Sequence, residues 1–387
     1  KARFSDAMFF VESDKKVFSK DRLEKLKSVS YLQGMGNVYQ RVERIQYVAE
    51  KIFKCLDDKS LDKEKLIESA SFCKHDLCSE IVYEFPELQG IMGGKYLKNE
   101  GYEDEVCLAV AEHYLPGFYK DHIPSSKYGA IVSISDKIET LLSIFISGKR
   151  PSGSSDPYAL RRNLNGVIQI IWSYEMDICL EEFFDSILDS WKNFLPNNIF
   201  DKGNVLNDLI AFTFQRVLSH LEELSFPKDL VKAICSFDNL SKKRILNIVD
   251  LKNRFNAINY FKKKGDFYDT QIIVSRVSKL ANSGSLEKNI LSHNGYINSS
   301  LFEKECEVRI FDFIRELEML TASSNWDYIG LFNLFVINKN NMIDLFDSNK
   351  GVLVMAEDLN IRNNRLNLLG LVRNYSLKIA DFTLLNS

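Results

Sequence analysis

The apolar residues of this chain recur at steps of three and four, and that period constrains the fold more tightly than composition does. Leu66, Ala70, Cys73, Leu77 and Ile81 follow one another at spacings of four, three, four and four. Ile134, Ile138, Leu141, Leu142 and Phe145 mark a second stretch in the same way. Such spacings put side chains on one face of an α-helix, which must then be buried against a partner. The first of them predicts a single helix over 66–81 carrying His75 and Asp76, with His75 opposite the apolar stripe. Strand-like alternation is sparse, its best case being the run 331–337. With 18 glycines and 7 prolines in 387 residues, long helices joined by compact turns are expected, and the fold class is mainly α.

That length suits two or three domains. We expect a helical domain over 1–158, a helical linker over 159–240 and a helical bundle over 241–387. Turns are expected at 196–198 and near Pro227, and the polar stretch 283–300 loops out of the last domain. No apolar run approaches the roughly 18 residues of a membrane span, so no membrane partner is expected. The seven cysteines form no CxxC pair, which argues against a zinc ribbon or disulfide framework and for reduced thiols in the cytoplasm.

Two segments invite function. In 147–162, Gly148, Pro151, Gly153 and Pro157 stand among Lys149, Arg150, Arg161 and Arg162, between two apolar helical runs. Asp156-Pro157 reads as an N-cap followed by proline at the first helical position, a setting that suits anion contact or a stiff interhelical joint. In 241–282, ten basic residues face only Asp250, Asp266 and Asp269, a local net charge of +7 within a chain of net charge −3. That is a footprint for a phosphate backbone or, more plainly, a solvated lysine-rich face. The glycine run 90–96 has the wrong spacing for a Walker loop and reads as a helix terminus.

The run 147–162, of the form GxxPxGSxDPxALRR, resembles the signature of the β subunit of bacterial tetrameric (α2β2) glycyl-tRNA synthetase. Arg3, Asp6-Ala7, Phe9-Phe10, Glu84-Phe85-Pro86-Glu87-Leu88-Gln89-Gly90-Ile91-Met92-Gly93 and Glu112-His113-Tyr114 agree in the same order, as do Val354-Met355-Ala356-Glu357-Asp358 and Arg362-Asn363-Asn364-Arg365-Leu366. The resemblance implies an HD-like helical domain, a helical linker and a DALR-type anticodon-binding domain. It also implies a further N-terminal portion, absent here, in keeping with a start at Lys1. Its partners would be tRNA-Gly and the α subunit, with no DNA. ATP and Mg would act on the α subunit, and this chain would hold no cofactor and no independent active site.

Within that reading, His75, Asp76, His113 and Asp136 resemble the metal-holding series of HD phosphohydrolases, the ligand chemistry of Mn, Fe or Zn. No histidine precedes His75, so the series lacks one ligand and no metal is expected. The tRNA-binding candidates are Lys242, Lys243, Arg244, Arg254, Lys262, Lys263, Arg276, Lys279, Arg362 and Arg365, with Arg161 and Arg162 at the joint. Arg365 falls beside the apolar stripe Ile361, Leu368, Val372, Tyr375 and Ile379, where a structural ion pair is the competing role. The alternatives to tRNA binding are a metal-dependent phosphohydrolase and a protein-docking scaffold for the α subunit.

Overall fold

The computed structural model describes residues 2–118, 121–152, 155–195, 200–236, 246–323 and 326–385. The expected turn at 196–198 and the candidates Lys242, Lys243 and Arg244 lie outside the described residues. Among the described residues there are 18 α-helices and no β-strand, so the chain is mainly α. In order these are α1 (Ala2–Asp14), α2 (Ser19–Lys25), α3 (Val38–Leu56), α4 (Lys63–Phe72), α5 (Glu80–Glu84), α6 (Ile91–Asn99), α7 (Asp104–Glu112), α8 (Lys127–Ile146) and α9 (Leu160–Tyr174). They continue with α10 (Leu180–Phe194), α11 (Lys202–Glu223), α12 (Lys228–Ile234), α13 (Ile248–Lys264), α14 (Phe267–Ala281), α15 (Glu305–Ala322), α16 (Tyr328–Ile337), α17 (Lys339–Asp344) and α18 (Leu359–Ser376). Two compact units result, one of Lys1–His220 with Leu246–Val249, the other of Leu221–Ile245 with Asp250–Ser387.

The first unit is organised around α8. Eighteen of its twenty residues are buried, polar ones included, because α3, α4, α7 and α9 surround it. Ser126 opens it by accepting the Gly129 amide at 2.9 Å. Ile45, Val48 and Ile52 of α3, Leu66 of α4, Val106 and Val110 of α7, and Leu164 and Ile171 of α9 share the core with Ile131, Ile134, Ile138 and Leu142. α6 lies close on α7 because Gly94 has no side chain; a Cβ there would strike the Cys107 carbonyl oxygen.

The single helix expected over 66–81 does not form. α4 stops at Phe72, one 3-10 turn spans His75–Cys78, and α5 restarts after Ser79, whose hydroxyl accepts the Val82 amide at 3.4 Å. The chain leaves helical geometry at Lys74 (φ −124°, ψ 4°). Lys74, His75 and Asp76 are all fully buried, so each needs a polar partner that a continuous helix would not present. The run 331–337 is likewise helical, within α16, which Asp327 opens by accepting the Gly330 amide at 2.6 Å. All residues of that run but Asn333 are apolar, so it shows no alternation that would mark a sheet face.

The second unit packs α14 against α18, with α13, α15, α16 and α17 around them. Phe261, Phe267, Phe332 and Phe382 form one aromatic cluster, Phe267 and Phe332 stacking at 5.8 Å and 19°. The stretch 283–298 has no helix but is pinned to α18. Arg373 donates to the Leu286 carbonyl at 2.7 Å, Asn374 to those of Glu287 (2.7 Å) and Ile290 (2.6 Å), and Tyr375 to that of Leu291 (2.8 Å).

Candidate functional site

The HD-like series of the first unit is brought together only in part. His113 at the end of α7 and Asp136 of α8 converge, but not on each other: Lys74 Nζ lies between them, 2.8 Å from His113 Nε2 and 2.8 Å from Asp136 Oδ2. The ammonium also sits 3.8 Å from the centre of the Tyr114 ring. His113 Nδ1 donates to the Val110 carbonyl at 2.7 Å, which leaves the Nε2 lone pair facing the lysine. Asp136 Oδ1 accepts from Arg41 Nη2 at 2.8 Å, and Arg41 and Arg44 share Glu139 at 3.0 and 2.9 Å. Burial opposes the Lys74 ammonium, yet Asp136 and Tyr114 more than offset it and raise its pKa above the usual value. Burial would likewise push Asp136 up, but Lys74 and Arg41 hold its carboxyl well below the ordinary range. Burial, then Lys74, drives His113 far below the ordinary imidazole value.

His75 and Asp76 turn the other way. His75 Nε2 is 3.2 Å from the Gly93 carbonyl and the ring is buried against a second packed surface, which lowers its pKa to about 3. Asp76 Oδ2 accepts the amides of Gly90 (2.7 Å) and Gly93 (3.1 Å), so the glycine run at the α6 N-terminus holds an internal carboxylate. Among the described residues no group of three or more His, Cys, Asp or Glu is arranged to hold a metal ion. The residues do not fit a divalent ion, because the cation between His113 and Asp136 is already supplied by Lys74. Sequence reading missed Lys74, whose only signal was a charge four residues after Ala70 in an apolar stripe.

The described residues of the 147–162 loop are tied both to their neighbours and to one another. Arg150 Nε pairs with Asp208 at 2.9 Å and its guanidinium lies 4.3 Å over the Phe145 ring. Ser152 and Ser155 exchange backbone hydrogen bonds at 3.1 and 2.8 Å. α9 begins at Leu160, three residues later than Pro157 at N1 would have it, and its N-cap is Ala159 at φ 53°. Asp156 still meets that terminus, accepting the amides of Leu160 (2.8 Å) and Arg161 (2.9 Å). Arg162 is exposed and Arg161 half-buried.

In the second unit the basic candidates divide. Arg254 is buried, ion-paired with Asp250 (3.1 Å) and donating to the Ile234 carbonyl (3.0 Å). Arg365 is buried too, on Glu307 (2.9 Å), Glu303 (2.6 Å) and the Leu353 carbonyl (3.0 Å). Both arginines lie inside the unit rather than on its surface. Arg362 donates to the Ala356 carbonyl (2.7 Å) and the Glu357 carbonyl (3.2 Å). The others point outward. Lys263, Arg276 and Lys279 are exposed, and half-buried Lys262 reaches over the Phe267 ring at 5.2 Å. Tyr268, Ile272, Arg276 and Lys279 share one face of α14, with Tyr268 57% and Ile272 55% exposed. Beside that face lies an open groove of about 500 Å³ lined by Gln271, Ile272, Ser275, Arg276, Lys279 and Leu385. The Arg276 guanidinium lies 4.4 Å over the Phe346 ring, a cation–π contact.

Comparison with known proteins bears on both units. The family described as "Glycyl-tRNA synthetase beta subunit" matches residues 1–236. Proteins named glycine–tRNA ligase beta subunit are similar over 99% of this chain: that of Acaryochloris marina is 34% identical over 390 residues, covering 54% of its length, and that of Picosynechococcus sp. is 35% identical over 386 residues, also covering 54%. The protein of Geotalea daltonii is 35% identical over 386 residues, covering 52% of its length. The chain thus spans about half the length of the curated relatives it matches.

Proposed function

This chain belongs to the glycyl-tRNA synthetase beta subunit family, and from that premise we propose that it serves glycyl-tRNA synthesis by gripping tRNA-Gly. The second unit takes unpaired nucleotides of the anticodon region. The reaction, with its ATP and Mg, belongs to the α subunit in the cytoplasm. The observation that carries this reading is the exposed face of α14. Tyr268 offers a ring for stacking, Ile272 an apolar wall, and Arg276 and Lys279 two cations for phosphate, within about 16 Å along one helix. Stacking planes interleaved with cations are how proteins hold single-stranded RNA, whose splayed bases expose faces that a duplex hides.

The test is binding of the chain to a tRNA-Gly transcript across a salt series, beside a transcript with a changed anticodon. Tighter binding to tRNA-Gly, weakening steeply with salt, supports the reading. Arg276→Ala should weaken binding and lower the magnitude of the salt slope by about 1. Equal binding to both transcripts would remove anticodon recognition, and no binding would remove the grip itself.

For the first unit, the docking alternative has its own support. Tyr83 is 86% and Phe9 70% exposed, and an apolar groove of about 580 Å³ runs past Phe10, Val29, Leu77, Cys78 and Tyr83. We propose the α subunit as its occupant. Co-purification lost on Tyr83→Asp supports this; unchanged co-purification counts against it.

A further inference from the structure

Four side chains of the first unit make a cation site whose cation is part of the chain. A neutral imidazole lone pair, a carboxylate oxygen and an aromatic face converge on one point, from His113, Asp136 and Tyr114. Each attracts positive charge, and the first two are ligand types that transition metals take. Lys74 Nζ occupies that point from a fully buried side chain. Arg41 stands on the other oxygen of Asp136, so Asp136 is shared between two cations.

The alternative occupant is a divalent ion of the HD type that the resemblance brings to mind. The chain's own atoms oppose it. An ion bound between His113 and Asp136 would coincide with the Lys74 ammonium and stand close to the Arg41 guanidinium, where like charges in a dry interior repel strongly. His75 is engaged with the Gly93 carbonyl and one oxygen of Asp76 with two α6 amides. The other Asp76 oxygen and His75 Nδ1 are buried without a partner, polar capacity that the centre leaves unused.

We infer that Lys74 is a tethered substitute for the metal ion of an HD-type centre, and that shortening it opens the centre to an external cation. The lysine ties the 3-10 turn, α7, α8 and, through Asp136, α3 at a single buried charge. The first unit is thereby a scaffold that needs no metal to stay assembled. The inference does not depend on RNA binding.

The experiment compares thermal unfolding and metal content of the wild-type chain and Lys74→Ala, with and without Zn²⁺ or methylammonium at constant ionic strength. The wild type should carry no stoichiometric transition metal and unfold at the same temperature with or without chelator. Lys74→Ala should unfold at a lower temperature and regain about 5–10 °C when either cation saturates it. Adding His113→Ala should abolish the Zn²⁺ response. A folded Lys74→Ala chain that neither cation raises overturns the inference. So does a wild-type chain with one bound metal that His113→Ala removes. Should Lys74→Ala fail to fold, Lys74→Met with and without Asp136→Asn decides. Recovery of the urea midpoint in the double variant supports a charge role; a single variant as stable as wild type overturns it.

Discussion

Arg365 shows how a residue's surroundings decide between two roles that its type allows. It lies beside the apolar stripe of α18, and the structure gives its guanidinium to Glu307, Glu303 and the Leu353 carbonyl. Glu307 is fully buried, so Arg365→Ala leaves an unpaired interior carboxylate and should cost the second unit about 3–5 kcal/mol, read by urea unfolding. Lys137 makes a different case. Its Nζ donates to the carbonyl of Leu115 (2.9 Å) and to Ser133 Oγ (2.7 Å), and burial lowers its pKa from 10.5 to about 7. Between those values the unfolded chain binds a proton that the folded chain lacks, so stability rises with pH across the window. The stability of wild type minus that of Lys137→Met should therefore increase from pH 7 to pH 10. A flat difference would mean that Lys137 keeps its proton throughout.

At the scale of elements, the unit of interest is the pairing of α6 with α7. Gly90 (φ 78°) turns the chain into α6, Gly93 approaches Asp76, and Gly94 lets the α7 backbone come close. Any β-carbon at 94 meets the Cys107 carbonyl and the Ala111 side chain, so the two helices must part. Gly94→Val should cost about 1–3 kcal/mol and raise amide exchange in 91–112 above that in α9. The glycine run that imitates a phosphate loop in the sequence is thus explained by close packing and by an internal carboxylate.

Across the molecule, the histidines make the two units respond differently to acid. His75, His113 and His220 are buried in the first unit, and burial lowers all three, His75 to about 3 and His220 to about 4. The second unit holds only His293, bonded to Glu318 at 2.7 Å. Where a folded pKa is depressed below 6.5, the unfolded state binds more protons, so stability falls as pH drops below about 6.5. Hydrogen exchange at pH 7 and pH 5 should show the first unit opening at the lower pH while the second changes less. Equal loss in both units would contradict this. Among the described residues no helix is long and apolar enough to cross a membrane.

Apolar spacing over 134–145 is α8, the stripe with Ile361 and Val372 is α18, and Asp156 meets the N-terminus of α9, though Ala159 and not Asp156 is its N-cap. Those are local matters: period, caps and breakers act within a few residues, and a linear chain displays them. The quoted motifs also carried the family. What the chain could not display was where a charge ends when it leaves a helix. Lys74 and His113 stand 39 residues apart and Lys74 and Asp136 62 apart, and they meet only because α7 and α8 pack beside the turn after α4. Arg276 and Arg365 belong to the same residue type; one lies on an exposed face of α14, and the other is buried where α18 meets Glu307 of α15, Glu303 and the Leu353 carbonyl. Burial is a property of neighbours distant in sequence, and it sets both the pKa values and the partners. The identity of the Lys74 centre was therefore decided by the tertiary structure alone.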